Sequence, residues 1–209
     1  SLTVSDNRFS TMQGPALLLR DAGLGANRDI TITGNTINAV AAQLPDDAAL
    51  VDVRSTVGHS SIQSNTIDLT GTTTRTAHAI AIGGGAAQIS VFSNVLTGPN
   101  STSLTGLHTD AINAGGQSAG VLLSNTLGNG ALVNISDNTI QRFDNGVRNA
   151  ATALGIQVNV TNNDLSDNAP FAIHNANSVV LNAPCNWYGN GFGPGGAGGG
   201  PGAAVSANV

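Results

Sequence analysis

Residues 30–37, Ile-Thr-Ile-Thr-Gly-Asn-Thr-Ile, alternate apolar and polar side chains, break at an asparagine, and resume beyond it. The same frame recurs around Asn7, Asn65, Asn94, Asn138 and Asn163. With the asparagine as position zero, the column three residues before it is Val4, Ile32, Ile62, Val91, Ile135 and Val160. The column five before it is Leu2, Ile30, Ser60, Ile89, Val133 and Val158. The column two after it is Phe9, Ile37, Ile67, Leu96, Ile140 and Leu165. Alternation with period two puts one set of side chains inside a strand and the other outside. The outward set four before the asparagine is Thr3, Thr31, Ser61, Ser90, Asn134 and Asn159. Each frame therefore predicts a strand that ends at the asparagine and a shorter strand that follows it.

Asn7, Asn35, Asn65 and Asn94 are separated by 28, 30 and 29 residues, and Asn138 and Asn163 by 25. Units this short cannot bury an apolar face alone, so they must stack. Each interval holds one more apolar stretch, at residues 16–20, 50–54, 79–83, 111–115, 146–150 and 172–176. Three short strands per turn, with equivalent residues superposed, describe an all-β chain wound as a single-stranded parallel β-helix of about seven coils. Stacked asparagines would stand about 4.8 Å apart. Each amide could then donate to one neighbour and accept from the next. Asn186, 23 residues after Asn163, extends this ladder. The plainer alternative is that asparagine only marks turns, where its backbone tolerance suits it.

Composition narrows the class. Of 209 residues, 40% are hydrophobic but 3% aromatic, so the core must be aliphatic. All 7 basic residues are Arg and all 12 acidic residues are Asp. The missing Lys and Glu are good helix formers, so helices should not dominate. A net charge of −5 gives no electrostatic reason to bind nucleic acid. No apolar run approaches the length of a membrane span. The single Cys185 excludes an intrachain disulfide. With neither a signal peptide nor an initiating Met, a processed chain or a piece of a longer one is expected.

The recurring Asn-Thr-Ile, Ser-Asp-Asn-Thr-Ile and Thr-Asn-Asn-Asp-Leu resemble the asparagine ladder of right-handed parallel β-helix proteins of the pectate-lyase-like superfamily. Residues 182–194, Asn-Ala-Pro-Cys-Asn-Trp-Tyr-Gly-Asn-Gly-Phe-Gly-Pro, resemble a closing motif of many secreted bacterial β-helix proteins. That motif is usually Asn-Trp-Trp-Gly followed by Gly-Pro; here its second aromatic is Tyr188, in the column two after the asparagine. The resemblance covers nearly the whole chain. It implies a right-handed helix and a secreted or bacterial cell-surface location. For activity it says little, because the fold hosts lyases, hydrolases, epimerases and adhesins.

The expected organisation is a β-helix over 1–188 with a Gly-rich tail over 189–209 that packs on the last coil or leaves it. Asn125 stands in a ladder-like frame only 13 residues before Asn138. No coil fits that gap, so a loop insertion is expected at about 117–130, with Asn138 in the ladder. The alternative puts Asn125 in the ladder. The first row, residues 2–9, begins directly in a strand. An uncovered strand edge there invites end-to-end self-association or an additional chain.

In the resembling enzymes, chemistry lies on the outer face of the third-strand sheet. Strict alternation makes the outward residues there Leu18 and Arg20, Asp52 and Arg54, Ala81 and Gly83, Asn113 and Gly115, Arg148, and His174. Arg20, Asp52, Arg54, Asn113, Arg148 and His174 are thus candidate ligand-binding residues. A lyase of this kind would want an Arg or Lys base and acidic residues holding Ca²⁺. Asp52 and Arg54 fit that pattern at one level, and His108 with Asp110 is a second acid–base candidate. The competing readings are a solvated surface pair and a turn hydrogen bond. Hydrolases of this fold cluster Asp residues as acid and base, whereas Asp46 and Asp47 sit together in a loop without visible partners.

His59, His78 and His108 fall in or near turns and form no recognisable metal set, so no metal and no cofactor is expected outside the lyase alternative. Residues 83–88 suit a bend better than a phosphate loop. Trp187 is expected to fill the core and Cys185 to be a buried apolar residue. The leading expectation is a structural, adhesive or carbohydrate-binding module without catalysis. Its partner would be an extracellular polysaccharide or a cell-surface component. The alternatives are a polysaccharide lyase or glycoside hydrolase on the third-strand sheet, and an ice- or surface-binding face on the Thr3, Thr31 and Ser61 column.

Overall fold

A computed structural model describes residues 1–20, 29–54, 58–71, 76–85, 87–99, 118–178 and 180–209. The chain is all-β, with a single 3-10 turn at Ala41–Gln43 among these residues. It builds three sheets whose neighbouring strands are all parallel. The first sheet stacks β1 (Leu2–Ser5), β4 (Ile30–Thr33), β7 (Gly58–Gln63), β10 (Ala87–Phe92), β13 (Leu132–Ser136) and β16 (Gln157–Thr161). The second stacks β2 (Arg8–Met12), β5 (Thr36–Val40), β8 (Thr66–Thr70), β11 (Val95–Thr97) and β14 (Thr139–Gln141). The third stacks β3 (Leu17–Arg20), β6 (Ala48–Arg54), β9 (Ala77–Gly84), β12 (Ala119–Leu127), β15 (Asn145–Asn149) and β17 (Phe171–Asn175). Successive strands from β1 to β15 visit the three sheets in turn, an arrangement consistent with a parallel β-helix.

The apolar columns are the core. Ile32, Ile62, Val91, Ile135 and Val160 are fully buried, as are Ile37, Ile67, Leu96, Ile140 and Leu165. Between these columns run the asparagines. The Oδ1 of Asn35 accepts from the backbone N–H and the Nδ2 of Asn7 at 3.0 and 3.1 Å. The same double bond repeats from Asn35 to Asn65, Asn65 to Asn94, Asn94 to Asn138, Asn138 to Asn163 and Asn163 to Asn186. From Asn35 to Asn163 each Nδ2 also donates to the carbonyl two residues before it and to one on the preceding rung, as Asn65 does to Gln63 and Ile32. Two hydrogens thus serve three acceptors, so one is shared. The residue before every ladder asparagine has positive φ: Asp6, Gly34, Ser64, Ser93, Asp137, Asn162 and Cys185, between 54° and 66°. That left-handed step swings the chain from the first sheet into the second.

As expected, Asn138 holds the ladder, and Asn125 is exposed at its own position in the third sheet. Several other expectations are corrected. The loop insertion expected at 117–130 is replaced there by β12, which pairs with β9 and β15. Cys185 is exposed, because the left-handed turn points its side chain outward. Trp187 is 50% exposed and registers with Asp164 on the outer face of the second sheet, while Tyr188 is only 7% exposed and fills the core column. His78 is the second residue of β9.

Beyond Gly189, β18 (Pro194–Gly196) and β19 (Gly202–Val205) continue the third sheet, with Ile173 and Val205 in register. The tail is bonded back to the last rung, where Asn175 Nδ2 donates to the Asn208 carbonyl at 2.8 Å. Gly202 is required by close approach: an added Cβ would stand 2.6 and 2.7 Å from the Gly193 and Tyr188 carbonyl oxygens.

Candidate functional site

Strict alternation fails on the third sheet. Leu50 and Val51, Ala79 and Ile80, and Ala172 and Ile173 are consecutive pairs that both join the core. A Cβ on Gly120, beside Val121, would meet the Ile140 side chain in the core. Each third strand therefore bends and presents two inward residues in a row. The consequence is two outward columns. One is Leu18, Asp52, Ala81, Leu122, Arg148 and His174, register partners rung by rung. The other is Ala49, His78, Ala119, Asn145 and Phe171.

Three expected site residues, Asp52, Arg148 and His174, thus share one column, with Arg54 beside Asp52. Asp52 and Arg148 lie three rungs apart, about 14 Å at the usual strand spacing, with Ala81 and Leu122 between them. Asp52 is 3% exposed, and its Oδ1 accepts from Arg54 Nε at 2.8 Å. This is no solvated pair: the acid is buried and the guanidinium covers it. Arg20 is the register partner of Arg54. Asn113, His108 and Asp110 lie outside the described residues, and the rung expected for Asn113 is occupied by Leu122.

The second column contributes residues that alternation concealed. His78 is 1% exposed and spans three rungs. Its Nδ1 accepts the Ala119 N–H at 3.0 Å, and its Nε2 lies 3.1 Å from Asp47 Oδ1. With Nδ1 as acceptor, the ring hydrogen sits on Nε2 and donates to Asp47. That bond holds the Asp47 carboxyl below its usual range. Burial opposes the effect, and the charges of Arg54 and Arg148 add to it. From the other side, Asp144 Oδ2 accepts the Ser118 N–H at 3.0 Å and its hydroxyl at 2.6 Å. Ser118 and Ala119, where the chain re-enters the third sheet, are thereby clamped between two buried side chains.

At the far end of the face, burial pushes the Arg148 guanidinium below its ordinary range, and the Asp47 charge acts against this. Burial, and then the Arg148 charge, lower His174. The His174 ring stacks on Phe171, with centroids 4.9 Å apart and planes at 19°. The stack exists because Ala172 and Ile173 both turn inward, leaving residues three apart side by side. His174 Nδ1 is buried without a hydrogen-bond partner among the described residues. Among these residues no group of three or more His, Cys or Asp is placed to hold a metal ion.

These shifts fix a pH dependence. For His174 the folded pKa lies below the ordinary 6.5. The unfolded chain then binds the proton first, and stability falls as pH drops from 6.5 to the depressed value. Asp47 acts lower down: its contribution is full above 3.8 and is lost as pH falls through its lowered pKa. Denaturant unfolding across pH should show both steps, and His174→Gln should abolish the upper one alone. An upper step unchanged in that variant contradicts the assignment.

No family model matches the chain, and neither a curated protein nor a solved structure matches it.

Proposed function

We propose that the chain is a right-handed parallel β-helix of about seven coils, of the pectate-lyase-like kind, secreted or displayed on a bacterial surface. In this reading it is a carbohydrate-binding, adhesive module that holds an acidic polysaccharide on the outer face of the third sheet without cleaving it. The observation that carries the reading is the division of charge on that face. Its carboxylates are engaged by protein partners, Asp52 by Arg54 and Asp47 by His78. Arg148, between Leu122 and His174 in the same column, supplies a guanidinium whose geometry suits a ligand carboxylate. Beside it, the Phe171–His174 stack offers an aromatic surface to a sugar ring.

Affinity electrophoresis through gels containing polygalacturonate or alginate tests this. Wild type should be retarded and fully methyl-esterified pectin should not retard it. Arg148→Ala should lose about tenfold in affinity, the loss of one charge-assisted bidentate contact. Binding should tighten as pH falls through the His174 titration, because a second cation then joins Arg148. Equal retardation of wild type and Arg148→Ala contradicts the reading.

A further inference from the structure

We infer a second ligand site, for a neutral polysaccharide chain, in a depression on the outer face of the first sheet. It goes beyond the acidic-glycan reading and uses none of the same residues. The outward column on this sheet runs Thr31, Ser61, Ser90, Asn134 in consecutive register. The two middle rungs carry the smallest side chains, so the face dips at Ser61 and Ser90. His59 and Gln88, register partners and both exposed, form one wall. Phe92, half-buried, forms the other, two residues beyond Ser90. The resulting depression measures about 380 Å³, with buried Ser60 at its base.

Its chemistry selects the ligand. Hydroxyls and the Gln88 and Asn134 amides each donate and accept, which matches sugar hydroxyls. Phe92 supplies an apolar surface for the C–H face of a sugar ring. Asp29 is the one charged residue among the described lining residues, and none of these is an arginine that would neutralise an anion. An acidic chain is therefore disfavoured where a neutral one is not. Beyond the dip the polar column continues through Asn134 and Asn159, which are bonded amide to amide at 2.9 Å. A polymer lying along the stack meets an equivalent polar group at each rung, about every 4.8 Å.

The test is calorimetric titration of the whole chain with cello-, xylo- and N-acetylated chito-oligosaccharides, with polygalacturonate in parallel. Wild type should bind at least one neutral series. Ser90→Arg, which fills the dip from an outward position, should weaken that binding about tenfold or more. Gln88→Ala, at an exposed wall, should weaken it measurably without risk to the fold. Neither change should alter polygalacturonate binding, and Arg148→Ala should show the reverse pattern. Failure of wild type to bind any neutral series overturns the inference, as does neutral binding by both variants as tight as that of wild type. It also fails if Ser90→Arg changes only the sedimentation of the chain, which would assign the face to a second copy, or only thermal hysteresis, which would assign it to ice. Loss of polygalacturonate binding with neutral binding intact would sink the acidic-glycan reading and leave this one standing.

Discussion

Asn138→Ala is expected to lower the unfolding free energy by about 3–5 kcal/mol, and Asn125→Ala to change it by less than about 0.5 kcal/mol. The two residues sit in similar local sequence, so the contrast isolates the ladder. Asn138 Oδ1 accepts from Asn94 N and Nδ2 at 2.9 and 3.0 Å. Its Nδ2 donates to Asn163 Oδ1, Val91 O and Ser136 O, each at 2.9 Å. Alanine would strand the Asn94 donors and two carbonyls in a site closed to water, each costing about 1–3 kcal/mol before relaxation. Asn125 is exposed and makes no such connection. Thr66→Ala, on the outward face beside Asn65, should be as neutral as Asn125→Ala. Urea unfolding of the three variants decides it, and equal losses at residues 125 and 138 contradict the ladder.

Asp144→Ala is expected to cost about 2–3 kcal/mol, because Ser118 would keep a buried N–H and a buried hydroxyl with no acceptor. Asp144→Asn retains an oxygen and should cost less. His78→Ala should produce a similar loss from the opposite side by freeing the Ala119 N–H. Amide exchange gives the local reading: protection at Ser118 should fall in the Asp144 variant, and protection at Ala119 in the His78 variant. Both contacts act on adjacent residues, so the double variant should depart from additivity. Unchanged exchange at both amides would remove the clamp from the account.

The ladder and the inward columns of the first two sheets were legible in the sequence, because period-two alternation holds there and the asparagine offset is constant. Ile32, Ile37 and their counterparts needed no tertiary information. The third sheet was less legible for a physical reason. Its strands bend, so Leu50 with Val51 and Ala79 with Ile80 both face inward. Strict alternation read through that bend finds Asp52, Arg148 and His174 but hides His78, Asn145 and Phe171. At the equivalent positions Gly120 and Gly146 carry no side chain to reveal the double step. The loop at 117–130 was misplaced because Ser124-Asn125-Thr126 copies a ladder frame by chance while β12 runs through it. Trp187 faces outward because the ladder offset applies to it as well. One residue past Asn186, it shares the outward parity of Thr66 and Thr139.

The acidic-polysaccharide reading rests on Asp52 and Asp47 being held by Arg54 and His78 rather than poised for proton transfer. A single incubation tests binding and chemistry together. Polygalacturonate is mixed with the protein at neutral pH, with and without Ca²⁺. Bound polymer is measured by co-sedimentation, and its chain length by size exclusion after prolonged incubation. The account predicts polymer bound in proportion to protein, lost with Arg148→Ala, and of unchanged length under both conditions. Shortened chains that appear with wild type and vanish with Arg54→Ala would contradict it and make the Asp52–Arg54 pair catalytic.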